Sequence, residues 1–206
     1  SSSRYNTALG GRAGQFAQGG SGYNVFIGYA AGRTCQGTLS VYIGGQIATS
    51  SSIAARTSSG SNVIVIGQEA EPSSTTVSGE ITLGNSFITN LRCNDTTISG
   101  LSDERDKKDI VDLEWSVDFI KDMRPVKFSW DRRDGSMEDK KDMGFIAQEL
   151  DLVEDKYQSH EYTRLVRKEN PERLEADPMK TYPIVIKALQ DIISRIETIE
   201  AKLNIS

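Results

Sequence analysis

The sequence predicts a chain of two unlike halves. The first is mainly β, a repeat of trimeric β-roll or β-helix-like type. The second is an α+β domain that closes on a helical trimeric coiled coil. Three observations carry this reading. A short apolar motif ending in Gly recurs through residues 1–101. The composition steps sharply near residue 102: the stretch 1–101 holds 16 of the 18 glycines, no Lys, five Arg and four acidic residues, whereas 102–206 holds 19 basic and 25 acidic side chains. A heptad pattern runs from Tyr182 to the end. A step in composition marks a domain boundary because the two sides solve different packing problems.

The repeat reads Tyr5-Asn6-Thr7-Ala8-Leu9-Gly10, then Asn24-Val25-Phe26-Ile27-Gly28, Ser40-Val41-Tyr42-Ile43-Gly44, Asn62-Val63-Ile64-Val65-Ile66-Gly67 and Glu80-Ile81-Thr82-Leu83-Gly84. The closing glycines are 18, 16, 23 and 17 residues apart. Each unit is a short β-branched strand followed by a residue free to take positive φ. One such strand cannot bury its apolar face; stacked units can, which is the logic of a solenoid. The irregular spacing and small number of units predict that packed identical chains complete the core. The pattern Asn24-x-x-Ile27-Gly28-x-Ala30 resembles the β-roll repeats of trimeric adhesin heads and phage fibre shafts. A solvated Gly/Ser linker is disfavoured, since Val63-Ile64-Val65-Ile66 is too apolar for one. Residues 72–79 form a turn-rich connector. Residues 87–93 and 96–99 are strand-like pieces leading to the junction.

In the second half, the apolar periodicity predicts a helix over 113–123, halted before Pro125. Val126-Lys127-Phe128-Ser129-Trp130 alternates as a strand does. Asp134-Gly135 signals a hairpin turn, and Met143-Gly144-Phe145-Ile146 is the returning strand. A short helix follows over 147–150, and 162–166 reads as a further strand. The last element is a helix over about 182–204 with Pro183 in its first turn. With Tyr182 at a, the a positions continue as Leu189, Ile196 and Leu203, and the d positions are Val185, Ile192 and Ile199. Isoleucine at both a and d favours trimers over dimers. Arg195 at g and Glu200 at the next e can pair between parallel chains. The competing reading is a terminal helix packed on its own domain.

Net charge −5 argues against a nucleic-acid partner, which requires a basic stripe. No apolar run is long enough for membrane insertion. The opening residues, Ser1-Ser2-Ser3-Arg4 without a Met, read as the start of a fragment of something longer, so missing targeting signals carry no weight. Cys35 and Cys93 fit no metal spacing and read as free thiols. His160 is the only histidine and, with no Cys or His beside it, reads as a surface residue. No metal site and no cofactor are expected. Asn94-Asp95-Thr96 fits a glycosylation sequon, a triplet common by chance.

The second half resembles the C-terminal intramolecular chaperone auto-processing domain of phage tail fibres, tailspikes, endosialidases and neck appendages. The resemblance is carried by Leu101-Ser102-Asp103-Glu104-Arg105-Asp106-Lys107-Lys108-Asp109-Ile110 and by Val126-Lys127-Phe128-Ser129-Trp130. Gly144-Phe145-Ile146-Ala147-Gln148-Glu149-Leu150 and the terminal helix add to it. The resemblance implies domains of 1–101, a fibre or shaft end, and 102–206, a chaperone. The chaperone would trimerise the chain, guide folding of the upstream fibre segment, and release itself as a single-turnover serine peptidase. The nucleophile would be Ser102, the dyad base Lys107, and the scissile bond that between Leu101 and Ser102. Asp103, Arg105, Gln148 and Glu149 are candidate supporting residues. The family's position before the lysine is usually apolar and here is Asp106; Lys108 is an alternative base. The mature part would belong to a virion tail fibre, assembled in the host cytoplasm, with a host surface glycan or protein as receptor.

A serine hydroxyl needs a base, and a lysine is one only when its amine is neutral. In extended chain a five-residue offset spans about 16 Å, too far for a hydrogen bond. Residues 103–106 must therefore turn, or the lysine must come from a neighbouring chain. Read in isolation, Ser102 is a helix N-cap. The alternative function is a non-cleaving trimeric adhesive fibre with an inert terminal cap. An enzyme acting on external substrate has little support.

Overall fold

Three-residue strands that end on glycine set the geometry of the first unit. The computed structural model describes residues 5–17, 22–45, 59–95, 97–133, 135 and 137–204, and the chain divides into two compact units, Ser1–Arg92 and Cys93–Ser206. In the first, β1 (Thr7–Leu9), β2 (Val25–Ile27), β3 (Val41–Ile43), β4 (Ile64–Ile66) and β5 (Ile81–Leu83) form one parallel sheet in chain order. This is a parallel β-solenoid with one strand per rung. Its register pairs Thr7 with Val25, Val25 with Val41, Val41 with Ile64 and Ile64 with Ile81. Those offsets are the glycine spacings of the sequence. The longest interval contains residues 46–58, which lie outside the described residues.

Strand side chains alternate, so the middle residue of each strand points inward. Phe26, Tyr42 and Val65 are buried and join Ala31, Cys35, Val63 and Ala70 in one core. Backbone ladders close the rungs, as in Val25 N–H to Ser40 O at 2.9 Å and Gly44 N–H to Ile27 O at 2.9 Å. Asn24, fully buried, bridges two rungs: its Oδ1 accepts from Ser40 N at 2.8 Å and its Nδ2 donates to Gly37 O at 3.1 Å. The closing glycines are required for two reasons. Gly44 has φ +138°, and a Cβ there would stand 2.1 Å from Gly67 O on the next rung. The corner before each strand is left-handed on every rung: Tyr5, Tyr23, Leu39, Asn62 and Gly79 all have φ between 57° and 70°. Only the last is a glycine, so the stacked sheet holds four other residues in a backbone region that L side chains disfavour.

The second unit begins in extended chain. Residues 97–112 are exposed without exception, broken only by a 3₁₀ turn at Glu104–Asp106. Then come α1 (Val117–Asp122), β6 (Val126–Ser129), β7 (Lys141–Gly144), α2 (Ala147–Tyr157), α3 (His160–Thr163), β8 (Val166–Arg167), β9 (Glu175–Ala176) and α4 (Tyr182–Leu203). β6 pairs with β7 and β8 with β9, both antiparallel. The core gathers Trp115, Phe119, Met123, Leu150, Val153, Leu165, Val166 and Ile184.

Several elements differ from the sequence expectation. The helix predicted over 113–123 begins only at Val117. Leu113 and Trp115 reach the core from extended chain, and the Ser116 hydroxyl is taken by Asp191. α2 runs past 150 to Tyr157, burying Leu150, Val153 and Glu154 along one side. The strand expected over 162–166 is split: α3 ends at Thr163, Arg164 turns left-handed at φ 47°, and only Val166–Arg167 pairs. Residues 87–93 and 97–99 form no strand. Asp134 and Thr96 lie outside the described residues.

Candidate functional site

Asp103 builds the turn that organises the exposed segment. Its Oδ1 accepts the backbone N–H of Arg105 at 2.9 Å, capping the 3₁₀ turn Glu104–Asp106. The Arg105 side chain closes back on the same carboxylate, Nε to Oδ1 at 3.0 Å and Nη2 to Oδ2 at 2.6 Å. Those hydrogen bonds from Arg105 hold the Asp103 carboxyl below the usual range and push the guanidinium further up. The turn ends at Lys107, whose N–H returns to Glu104 O at 3.0 Å.

The turn shortens the path from Ser102 to Lys107. Lys107 Nζ donates to Ser102 Oγ at 2.8 Å and to the Ser102 carbonyl oxygen at 3.0 Å. One chain therefore brings the two side chains together, without a neighbour. Both are exposed, and Leu101 before them is as open as a residue in a free peptide, at 102%.

Of the candidate supporting residues, only Asp103 and Arg105 join this cluster. Among the described residues, no hydrogen bond or ion pair links Gln148 or Glu149 to it. Gln148 is exposed. Glu149 is clamped by Arg124 through Nε–Oε2 at 2.9 Å and a second contact, Nη2–Oε1, which keep its carboxyl below the usual range.

α4 presents two faces. Ile184 and Ala188 are buried against the unit, and α1 packs on this side. Asp191 locks the same face, accepting from Lys187 Nζ at 2.5 Å and from the Ser116 hydroxyl. At 3.6 residues per turn the heptad stripe lies about 100° around the helix from that face. Tyr182, Leu189, Ile192, Ile196, Ile199 and Leu203 are all exposed, and Val185 is half-buried. Ile186 and Ile193, one position after the first two d residues, widen the exposed stripe. The anchoring face was legible in principle: Ile184, Ala188 and Asp191 recur at helical spacing off the heptad.

Residues 102–157 match the peptidase S74 family, described as chaperone of endosialidase. The match supports a C-terminal intramolecular chaperone domain and begins on Ser102. No curated protein and no solved structure matches the chain.

Proposed function

We propose that residues 102–206 form an intramolecular chaperone that trimerises the chain, sets the three solenoids in register, and then frees itself by cutting between Leu101 and Ser102. What remains would be the end of a phage tail fibre or tailspike. The observation that carries the cleavage is the 2.8 Å contact between Lys107 Nζ and Ser102 Oγ, set in an exposed segment after the solenoid. The trimer rests on the exposed heptad stripe of α4, with isoleucine at both a and d.

The reaction uses Ser102 twice. Lys107, neutral, takes the Oγ proton as Oγ attacks the carbonyl carbon of Leu101. The tetrahedral intermediate collapses by breaking the Leu101–Ser102 C–N bond, and the lysine returns the proton to the departing amine. Leu101 is then esterified to Ser102 Oγ. Water cleaves the ester, leaving a carboxylate at Leu101 and a free amine at Ser102. Each chain turns over once. Lys107 is solvated in the single chain, so trimer assembly supplies the desolvation, and the cut waits for assembly.

A fibre gains from this order of events. Identical strands pair in many registers, and a slip buries the wrong faces. A trimer folded first holds three chain ends level and lowers the entropic cost of pairing. Removing it afterwards leaves a kinetically trapped fibre.

A second reading is an adhesive fibre with a permanent terminal cap, favoured by the exposure of Lys107 in the single chain. In either case the mature fibre would sit on the virion and meet a host glycan or protein. Neither nucleic acid nor cofactor enters this reading, and no helix among the described residues is long and apolar enough to cross a membrane. Intact-mass analysis of the expressed chain separates the two. Cleavage predicts fragments 1–101 and 102–206 from the wild type and one species from Ser102→Ala or Lys107→Ala. A trimer that stays uncut leaves the cap.

A further inference from the structure

α2 carries Asp151 and Glu154 three residues apart, hence on one face. The helix ends at Gln158 in a left-handed turn, φ 51°, and Ser159 N–H returns to Glu154 O at 3.0 Å. This reversal lays His160, the first residue of α3, back over the last turn of α2. The result is a cluster in which Asp151, Glu154 and His160 each offer one ligand atom within 4.8 Å of the others.

Glu154 is completely buried. Its Oε1 is satisfied, accepting from Thr163 Oγ1 at 2.6 Å and Leu165 N–H at 2.7 Å. Its Oε2 accepts no hydrogen bond and faces His160 Nδ1 at 3.4 Å. The other ring nitrogen, Nε2, lies 2.8 Å from Asp155 Oδ1. In the tautomer whose Nε2–H donates to Asp155 Oδ1, the ring leaves its Nδ1 lone pair facing Glu154 Oε2, and this is the form a metal ion would take. Two lone pairs then point at one spot. A carboxylate holding the far nitrogen of a metal-binding histidine is the usual way such a ring is oriented. A cation already answers the charge in part: Lys168 Nζ pairs with Asp151 Oδ1, from a side chain half exposed to solvent. Asp155 and Glu154 add their charge near the same ammonium at longer range.

We propose that Asp151 Oδ1, Glu154 Oε2 and His160 Nδ1 bind a first-row divalent metal ion, with zinc as the probe, and that Lys168 swings out when it enters. One imidazole and two carboxylates are an ordinary nitrogen–oxygen ligand set for such an ion. At bonds of about 2.2 Å a tetrahedral ion holds its ligand atoms about 3.6 Å apart, so the widest pair must close by on the order of 1 Å, within reach of side-chain rotation. Water completes the coordination. The ion would tie α2 to α3, a structural role separate from the cleavage chemistry.

The test is zinc titration of the chelator-stripped full chain by calorimetry and thermal melting, in a Cys93→Ser background that removes the exposed thiol. One zinc per chain is expected, with melting raised by about 4 °C or more at saturating metal. Asp151→Asn and His160→Ala should each weaken binding at least tenfold. Lys168→Met should tighten it several-fold, because the competing ammonium is gone; chance binding at scattered surface carboxylates would not respond this way. Glu154 is too deeply hydrogen-bonded to substitute safely, so the two rim ligands and Lys168 carry the test. Unchanged zinc affinity in Asp151→Asn and His160→Ala, or no binding by either the wild type or Lys168→Met, overturns the proposal.

Discussion

Lys107 Nζ meets Ser102 Oγ across a turn that Asp103 caps and Arg105 locks. Sequence separation alone would hold the two about 16 Å apart in extended chain. The contact therefore depends on two residues that perform no chemistry themselves.

Lys107→Arg separates hydrogen bonding from proton transfer. Arginine can still donate to Ser102, but it does not become neutral. Cleavage should fall by about 100-fold or more, followed by gel densitometry over time. Hydroxylamine gives the complementary readout in the wild type: it attacks the ester and leaves Leu101 as a hydroxamate, heavier than the acid by one NH. Fragment 1–101 carrying only a carboxylate at every hydroxylamine concentration would exclude the ester route.

Asp103→Ala removes the cap and the anchor of Arg105 together. Cleavage should slow by about fivefold, the scale of a lost N-cap. Asp103→Asn keeps an acceptor for the Arg105 N–H and should stay near the wild-type rate. Equal rates for all three proteins would mean that the turn forms without Asp103, through trimer contacts instead.

Ile192→Asp places a charge in the exposed stripe of α4 while leaving Ile184 and Ala188 against the unit. On the proposed function, in which assembly gates the cut, the variant should be monomeric by light scattering at micromolar concentration and should fail to cleave. Gln190→Glu, beside the stripe, is the control and should assemble normally. A monomeric Ile192→Asp chain that still cleaves would detach the two functions.

Gly44→Ala and Gly45→Ala form a matched pair. The first forces a side chain onto φ +138° and against Gly67 O; a Cβ at the second meets nothing within 4 Å. Gly44→Ala should destabilise its rung by about 1–3 kcal/mol from backbone strain alone, while Gly45→Ala should be close to neutral. Cys35 reports the difference. It is buried and its thiol is pushed up by that burial, so in a Cys93→Ser background its labelling rate follows opening of the solenoid.

Acid should loosen the second unit. Lys187 and then Ser116 hold the Asp191 carboxyl below its usual range, and Lys156 and then Tyr157 do the same for Asp122. Groups lowered on folding contribute stability above the unfolded carboxylate pKa of about 3.9, and lose it as pH falls through the lower folded value. Melting temperature should therefore drop steeply below about pH 4, and less steeply in Asp191→Asn. An identical acid slope in that variant would remove Asp191 from the account.

The solenoid was legible because its constraint is local and repeated. Each rung needs an apolar residue aimed inward and a glycine at the close approach, and the spacings of Gly10, Gly28, Gly44, Gly67 and Gly84 carry over directly as strand register. The left-handed corners at Tyr23 and Leu39 were not legible, since nothing in those residue types asks for that backbone; the sheet imposes it. In the second unit, helix ends were misread wherever a polar side chain was spent on a distant partner. Ser116 answers to Asp191, 75 residues away, and Glu154 to Thr163 and Leu165. The pair Ser102 and Lys107 was named from resemblance, but the turn that joins them was inferable only as a requirement of distance.

β5 is the last strand of the sheet, and Ile81 and Leu83 on it are exposed. Its outer edge offers backbone groups to any passing strand, which makes it a seed for end-to-end filament growth. Beyond it the chain turns at Asn85, whose side chain reaches back to Gln68 O at 2.9 Å, and Ile88 folds onto Gly84 so tightly that a Cβ there would lie 2.4 Å from it. That stretch precedes Leu101, so it would stay with the fibre when the chaperone leaves. The end of the solenoid would then carry its own cover, and the edge of β5 would be closed to a strand from another copy.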